Sequence, residues 1–358
     1  MAAKPFPILF ITGTRIGDAV LSSGLIRRLS EEIPNARFTI AAGPPAAPLF
    51  ADVPNLDRVL VMEKSKSGGH WLKLWNQVRG KSWGLVVDLR GSAISSLVSR
   101  KRRAVHRKSR VAGLEPEHKV IEAARLLKLE DDPPAPFIFT SPETEERADE
   151  LMSGVCPILA IGPAANWMGK MWPLERFAMT AMQLLAEDGP LAGGRLAIFG
   201  GPEDTRLVEG LRNALPRERR IDLTGKVDLV TAYACLKRCD LFIGNDSGLM
   251  HLAAAAGIPT VGLFGPSDER LYGPWGKKTR AVRGPRTFDQ FLAVDPDLSN
   301  AVGHMNDLPI DVVVAAAKEL LVAARPEPVK PTPKAKAAKA ETPEPEIPEP
   351  ETPDAADL

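Results

Sequence analysis

The chain has 358 residues, 44% of them hydrophobic and 25% charged, which is the composition of a soluble globular protein large enough for two ordinary domains. Its formal net charge of +1 argues against a bulk nucleic-acid binder. Three cysteines without paired metal spacing suit a reducing compartment. No secretory signal is apparent, and no apolar run approaches the ~20 residues that span a bilayer, so we expect a cytoplasmic protein.

Strand and helix signals alternate in the first half of the chain. Between the first two strands, Asp18 to Ile33 predicts an amphipathic helix, with leucines at helical spacing. The expected strands are Ile8 to Thr12, Phe38 to Ala42, Arg58 to Met62 and Leu85 to Leu89. This βαβ pattern predicts a parallel sheet.

A proline-interrupted stretch from Asp131 to Pro142 breaks the pattern, which then restarts. The expected strands are Ile158 to Ile161, Leu196 to Phe199, Ile221 to Leu223, Leu241 to Ile243 and Thr260 to Phe264. The expected helices are Leu174 to Glu187, Glu203 to Leu215 and Leu229 to Arg238. We therefore predict two Rossmann-like, doubly wound α/β domains, residues 1–145 and 146–325, facing each other across a cleft.

The composition changes after Arg325. Residues 326–358 are rich in proline and charge and contain almost no large apolar side chains. Such a segment cannot bury enough surface to offset its ordering entropy, so we expect a disordered tail.

The most informative stretch runs from Leu241 to His251, where an apolar strand leads through a polar turn into a small-residue helix. The amides that open this helix would face the carboxyl end of the sheet, where a helix dipole favours an anion such as a nucleotide diphosphate. The alternative is that Asp246 or Ser247 only caps the helix. For His251, the alternative to a ligand role is packing.

Three further segments carry candidate site residues. The loop from Gly13 to Asp18 opens the first helix, where Asp18 could act chemically or serve only as an N-terminal charge. Lys170 precedes the helix start at Trp172 and Pro173 and lies on a loop at the cleft, unless it is simply solvated. Glu203 follows the strand that ends at Phe199, and its alternative role is to favour the first helical turn.

Arg100 to Arg110 contains seven arginines and lysines. Such a run is often a solvated basic face, and it can also bind phosphates of any kind, including those of nucleic acid. Asp295 and Asp297 match an Asp-x-Asp metal motif, but they lie beyond the last expected strand and are interpreted as a loop. We therefore expect no metal site.

The segment from Asn245 to Pro266, followed by Ser267 and Asp268, resembles the signature of the family 9 glycosyltransferases, whose best-known members are ADP-heptose:lipopolysaccharide heptosyltransferases. Two further segments match in the expected order, Thr14 to Leu21 and Gly162 to Pro173. The resemblance extends over about residues 6 to 325. It implies a GT-B fold, in which two Rossmann-like domains enclose a cleft.

The resemblance also implies roles. Asp18 corresponds to the aspartate thought to deprotonate the acceptor, and near its reference pKa of ~3.9 it would be ionised at neutral pH. Lys170 would offset charge on the departing diphosphate. Some relatives carry hydroxyl residues before this lysine, where Asn166 and backbone amides could substitute. The remaining expected nucleotide-binding residues are Glu203, Thr224, Asp246, Ser247, Gly248 and His251.

The resemblance thus implies an inverting, metal-independent glycosyltransferase that needs no cofactor. Its donor would be a nucleotide sugar, in this family ADP-heptose, and its acceptor a lipid-linked glycan of the lipopolysaccharide core. The basic run from Arg100 to Arg110 would contact the acidic acceptor and the anionic inner face of the membrane. The alternatives are a sugar-nucleotide epimerase of similar fold and a nucleotide-binding protein without catalysis.

Overall fold

A computed structural model describes residues 4–65, 68–106, 116–296, 298 and 303–324. Three parts of the sequence analysis lie outside these residues: the predicted tail (residues 326–358), the end of the basic run after His106, and Asp297. Within them, no helix has both the length and the apolar character needed to cross a membrane.

The first half of the chain forms a five-stranded parallel sheet in the order β3-β2-β1-β4-β5. Its central strands are apolar throughout because helices cover both faces, as is typical of parallel sheets. The elements are β1 (Phe6–Ile11), α1 (Ile16–Ser22), α2 (Gly24–Glu32), β2 (Ala36–Ala42), β3 (Leu56–Val61), α3 (Gly69–Val78), β4 (Trp83–Asp88), α4 (Ile94–Leu97), β5 (Arg100–Val105) and α5 (Lys119–Ala124).

The second half forms a six-stranded parallel sheet in the order β11-β10-β9-β6-β7-β8. The elements are α6 (Pro142–Leu151), β6 (Ile158–Gly162), α7 (Leu174–Leu184), β7 (Arg195–Ile198), α8 (Glu209–Ala214), β8 (Arg220–Asp222), α9 (Leu229–Leu236), β9 (Leu241–Asn245), α10 (Gly248–Ala255), β10 (Thr260–Phe264), α11 (Glu269–Tyr272), β11 (Thr279–Arg283), α12 (Phe288–Val294) and α13 (Ile310–Ala324).

Both sheets have the Rossmann strand order, in which the chain moves outward from a central strand in one direction and then in the other. The direction reverses between β1 and β4 in the first sheet and between β6 and β9 in the second. Open α/β sheets bind ligands outside the carboxyl ends of the strands at such a reversal. The loops after β1, β4, β6 and β9 are therefore the places where a site is expected.

The structure corrects three details. The helix predicted from Asp18 to Ile33 is two helices that meet at Ser23. The Ser23 hydroxyl donates to the Val20 carbonyl at 2.7 Å and accepts the Phe137 amide at 2.9 Å. The helix predicted from Glu203 to Leu215 is a 3-10 turn followed by the shorter α8. Two edge strands, β5 and β11, were not anticipated because their charged residues hide the strand pattern.

The predicted boundary between residues 145 and 146 falls within α6. This helix is held to α9 of the second half by ion pairs. The Arg238 guanidinium contacts Glu145 at 2.9 Å and Asp149 at 2.6 Å, and Lys237 contacts Glu145 at 2.6 Å. The described residues up to Ala324 belong to one compact unit. The division into two domains stays a prediction.

Candidate active site

The loops after β6 and β9 are tied together by Asn245, the last residue of β9. Its side chain is completely buried. The amide oxygen accepts a hydrogen bond from the Trp172 backbone at 3.1 Å, and the amide nitrogen donates to the Pro163 carbonyl at 2.6 Å. Asn245 therefore holds both ends of the loop that carries Lys170.

Lys170 and Asp246 form the centre of the site. The Lys170 ammonium lies at the end of the 3-10 turn Met168–Lys170 and donates to the Asp246 carboxylate at 2.5 Å. The side chains are 20% and 7% exposed, respectively. Burying these two charges costs hydration, and their mutual attraction offsets that cost. The Lys170 ammonium has further N–H donors that can bind a second anion.

Helix α10 begins without a side-chain cap. Ser247 occupies the N-cap position, but its side chain makes no capping hydrogen bond. Its hydroxyl oxygen is buried and has no hydrogen-bond partner among the described residues. The capping alternative is therefore wrong. The amides of the first turn and a buried, unsatisfied hydroxyl are instead available to an anion.

The first turns of α1 and α10 contact each other across the two halves of the chain. A Cβ atom on Gly248 would lie 2.6 Å from Cγ2 of Ile16, and one on Gly17 would lie 2.9 Å from the His251 ring. Only glycine permits this approach at either position. Asp18 lies in the first turn of α1, close enough to Asp246 for the charge of that carboxylate to influence the pKa of Asp18.

Burial raises the pKa of Asp18 above its ordinary value, and the charges of Asp246 and Glu122 raise it further. Arg15 and Lys119 oppose the shift. The expectation of a pKa near the reference value is therefore wrong. Asp18 is a stronger base than an exposed aspartate, which suits proton abstraction from a hydroxyl near neutral pH.

His251 is buried, and its loss of hydration lowers its pKa to about 4 although Asp246 opposes the shift. The imidazole is therefore uncharged at neutral pH. Its Nε2 atom lies 4.0 Å from the Asp246 carboxylate, and its Nδ1 atom has no hydrogen-bond partner in the part of the chain that the structure describes. The ring packs against Gly17, while Nδ1 is available to a ligand, so the choice between packing and ligand binding stays open.

The expected nucleoside-binding residues lie at the same edge of the second sheet. The loops after β7 and β8 meet where the Gly225 amide donates to the Gly200 carbonyl at 3.0 Å, and Thr224 lies beside this contact with a buried hydroxyl that no described group satisfies. Glu203 is exposed. The carboxylate that accepts the Gly201 amide, at 2.8 Å, belongs to its neighbour Asp204. Asn166 is exposed on the Lys170 loop. Their ligand roles stay predictions.

Sequence reasoning assigned no role to several residues of this region. Ser267 follows β10 with a buried hydroxyl that no described residue satisfies, and Arg283 holds its loop by binding the carbonyls of Gly265 and Ser267. Ser267 belongs to the family-like segment, which was a usable signal. Lys119 and Glu122 influence Asp18 from α5, a segment that carries no motif.

No group of three or more His, Cys, Asp or Glu side chains within the described ranges is arranged to hold a metal ion. Asp295 is buried, and its carboxylate lies 3.5 Å from the imidazole of His304.

Residues 71–291 match the family model described as glycosyltransferase family 9 (heptosyltransferase). The chain is 26% identical over 316 residues to lipooligosaccharide heptosyltransferase 2 of Haemophilus influenzae, covering 77% of this chain and 88% of that protein. It is 26% identical over 314 residues to lipopolysaccharide heptosyltransferase 2 of Escherichia coli, covering 77% and 87%.

Solved structures show the same fold. A family 9 glycosyltransferase from Veillonella parvula superposes with a TM-score of 0.72 at 21% identity, covering 90% of this chain and 99% of that one. The ADP-heptose lipopolysaccharide heptosyltransferase II of E. coli superposes with a TM-score of 0.66 at 22% identity, covering 89% and 99%. The fold is GT-B, and the chain belongs to glycosyltransferase family 9.

Proposed function

We propose that this glycosyltransferase transfers heptose from ADP-heptose to a glycan of the lipopolysaccharide core or a related acceptor, with inversion and without a metal ion. The names of the relatives from H. influenzae and E. coli support the sugar and the acceptor class. The observation that carries the proposal is the Lys170–Asp246 pair beside the uncapped start of α10, in contact with the helix that bears Asp18.

The donor diphosphate binds at the first turn of α10. The backbone amides, the Ser247 hydroxyl and the Lys170 ammonium supply the hydrogen bonds, while Asp246 keeps Lys170 in place. Asn166 contacts the phosphate beside Lys170, Glu203 contacts the nucleoside, and Thr224 binds the nucleotide from the neighbouring loop.

The reaction is a single displacement at the anomeric carbon. The acceptor oxygen forms a bond to that carbon, its proton moves to Asp18, and the bond to the β-phosphate oxygen breaks, so that ADP leaves and the configuration inverts. The raised pKa of Asp18 favours proton acceptance. Lys170 and the α10 amides stabilise the growing negative charge on the leaving group, which is the task that a metal ion performs in other transferases.

The acceptor is lipid-linked, so we place the reaction at the cytoplasmic face of the inner membrane. The described part of the basic run contains four arginines and lysines of β5, of which Lys101, Arg102 and Arg103 are exposed and Arg100 is half-buried. Each basic residue near an anionic surface contributes about 1 kcal/mol, so several hold a protein there reversibly.

Incubation with ADP-, UDP- and GDP-sugars, with and without a heptose-deficient core acceptor, tests the proposal. ADP-heptose is expected to yield ADP and a heptosylated product only when the acceptor is present. Conversion of the donor to an isomer without acceptor would identify an epimerase. Binding of ADP-heptose without transfer would identify a non-catalytic nucleotide-binding protein.

A further inference from the structure

Tyr272 is the last residue of α11, the short helix that follows β10. The Asp268 carboxylate caps this helix by accepting the Arg270 amide at 3.0 Å. The Arg283 guanidinium, at the end of β11, donates to the Glu269 carboxylate at 3.0 Å. These contacts attach α11 to the second sheet and define the position of Tyr272.

Helix α11 also contacts the start of α5, in the first half of the chain. The Nδ1 atom of His118 accepts the Val120 amide at 3.2 Å, and its Nε2 atom donates to the Gly273 carbonyl at 2.9 Å. An uncharged imidazole has one acceptor and one donor nitrogen, and both are used here. The His118 ring is also centred 4.7 Å from the ring of Trp275. Because Gly273 follows Tyr272 in the chain, these contacts bring Tyr272 to the start of α5.

The phenol of Tyr272 lies near charged groups from both halves of the chain. Burial raises the pKa of Tyr272, the charges of Asp18, Glu122 and Asp246 raise it further, and Lys119 opposes the shift. Electrostatic influence of this kind weakens with distance. Tyr272 is therefore close both to the proposed base, Asp18, and to Asp246 at the start of α10.

The Tyr272 side chain is half-buried, and its ring packs against the main hydrophobic core. Its hydroxyl has no hydrogen-bond partner within the part of the chain that the structure describes. The other tyrosine of the chain, Tyr233, donates its hydroxyl hydrogen to the Ala255 carbonyl at 3.3 Å. Since a partly buried tyrosine ordinarily finds a partner for its hydroxyl, that of Tyr272 is available to a ligand.

We propose that Tyr272 binds the transferred sugar through a hydrogen bond to one of its hydroxyls and thereby contributes to the choice of donor. This inference rests on the proposed function and deepens it. In a single displacement the sugar lies between the acceptor, which Asp18 activates, and the departing diphosphate beside Asp246. A side chain close to both carboxylates therefore lies beside the sugar, and a phenol can either donate to a sugar hydroxyl or accept from it.

The test compares Tyr272→Phe with Tyr233→Phe, which removes the same hydroxyl from a site inside the core. Tyr272→Phe is expected to weaken ADP-heptose binding by about 3- to 10-fold, as for a lost hydrogen bond, while the affinity for ADP and the melting temperature stay unchanged. Tyr233→Phe is expected to lower the melting temperature and to leave both affinities unchanged. Calorimetric titrations with ADP and with ADP-heptose, beside thermal melts, measure these effects.

Donor analogues identify the contact itself. Among ADP-heptose analogues that each lack one sugar hydroxyl, one is expected to bind the wild type more weakly by the factor seen in Tyr272→Phe, and to bind the variant no more weakly than ADP-heptose does. Equal losses of ADP and ADP-heptose affinity in Tyr272→Phe would overturn the inference. An effect confined to the acceptor KM would also overturn it, because Tyr272 would then contact the acceptor.

Fluorine NMR gives a readout that does not depend on catalysis. The chain has two tyrosines, so protein labelled with fluorotyrosine gives two resonances, which the two variants assign. ADP-heptose without acceptor is expected to shift the Tyr272 resonance beyond the shift that ADP causes, and identical spectra with the two ligands would contradict the inference. If the wild type transfers no sugar from any donor, the proposed function fails, whereas these binding experiments still decide whether Tyr272 contacts the sugar.

Discussion

The Lys170 ammonium donates a hydrogen bond to the carboxylate of Asp246, a residue 76 positions later in the chain. The pair joins the loops after β6 and β9, the two strands between which the second sheet reverses direction. We therefore expect Asp246 to hold the Lys170 ammonium in place, and its contact with the diphosphate stays a prediction.

Replacing Lys170 with methionine keeps the apolar stem and removes the charge. We expect turnover to fall by about 10²-fold or more and donor affinity to fall much less, because leaving-group charge grows toward the transition state. Steady-state kinetics and calorimetry with ADP measure the two effects. Lys81→Met is the control. The Lys81 ammonium lies 3.0 Å from the Asp57 carboxylate, and this pair is outside the candidate site. If Lys170→Met lost ADP affinity and turnover by the same factor, Lys170 would not contribute specifically to the chemical step.

Ser247→Ala separates anion binding from helix capping. Because the Ser247 hydroxyl caps nothing, its loss should leave the melting temperature nearly unchanged while ADP binds about 10- to 100-fold more weakly. Ser141→Ala should do the opposite, since Ser141 caps α6 by accepting the Thr144 amide at 3.2 Å. A cap of this kind contributes about 1 kcal/mol. Wild-type ADP affinity in Ser247→Ala would place the diphosphate elsewhere.

Gly248→Val tests the contact between α1 and α10. The added side chain would collide with Ile16, so the variant should lose about 1–3 kcal/mol of stability as well as ADP affinity. Gly80→Val is the control, because a Cβ atom at Gly80 would meet nothing within 4 Å. Thermal melts and ADP titrations provide both readouts. A Gly248→Val protein as stable as the wild type would show that the two helix starts separate freely in solution.

The ion pairs of Glu145 between α6 and the end of α9 should make the free energy of unfolding depend on pH in the acid range. Although burial raises the pKa of Glu145, hydrogen bonds from Lys237, Thr140 and Arg238 outweigh it and lower the pKa from 4.5 to about 2. The folded state thus binds the proton more weakly than the unfolded state. The stabilisation is complete above pH 4.5 and is lost as the pH falls toward 2.

Glu145→Gln should therefore cost about 1–3 kcal/mol at neutral pH, and this difference should shrink across that window in urea unfolding series. Glu150→Gln, on the same helix, removes only an exposed pair with Arg147 and should change little. If the loss of unfolding free energy in Glu145→Gln stayed constant from neutral pH to pH 2, the assigned ion pairs would be contradicted.

Both sheets could be predicted from the sequence because their central strands are continuous apolar runs, such as Leu241 to Ile243, separated by helical periodicity. The edge strands β5 and β11 could not be predicted. Much of an edge strand faces solvent, and the exposed arginines of these two strands hide the apolar pattern that identifies a strand. The interruption at Ser23 was not predicted either, and its hydroxyl accepts a hydrogen bond from Phe137, a residue far along the chain.

The sequence pointed to Asp18, Lys170 and Asp246 through the family-like segments, and the structure shows the Lys170–Asp246 contact and an influence of Asp246 on the pKa of Asp18; their roles stay predictions. Their couplings were not predictable. The Lys170–Asp246 bond, the contact of Gly248 with Ile16 and the environment that raises the pKa of Asp18 all depend on how distant loops meet.

The most direct test of the account is the rate of heptose transfer by Asp18→Asn, measured beside its affinity for ADP. The substitution keeps the size of the side chain and removes the base. We expect turnover to fall by ~10²-fold or more with an essentially unchanged ADP dissociation constant, since we propose that the donor binds to the second half of the chain. Wild-type turnover in Asp18→Asn would contradict the account, because the acceptor would then be activated without the carboxylate that we propose as its base.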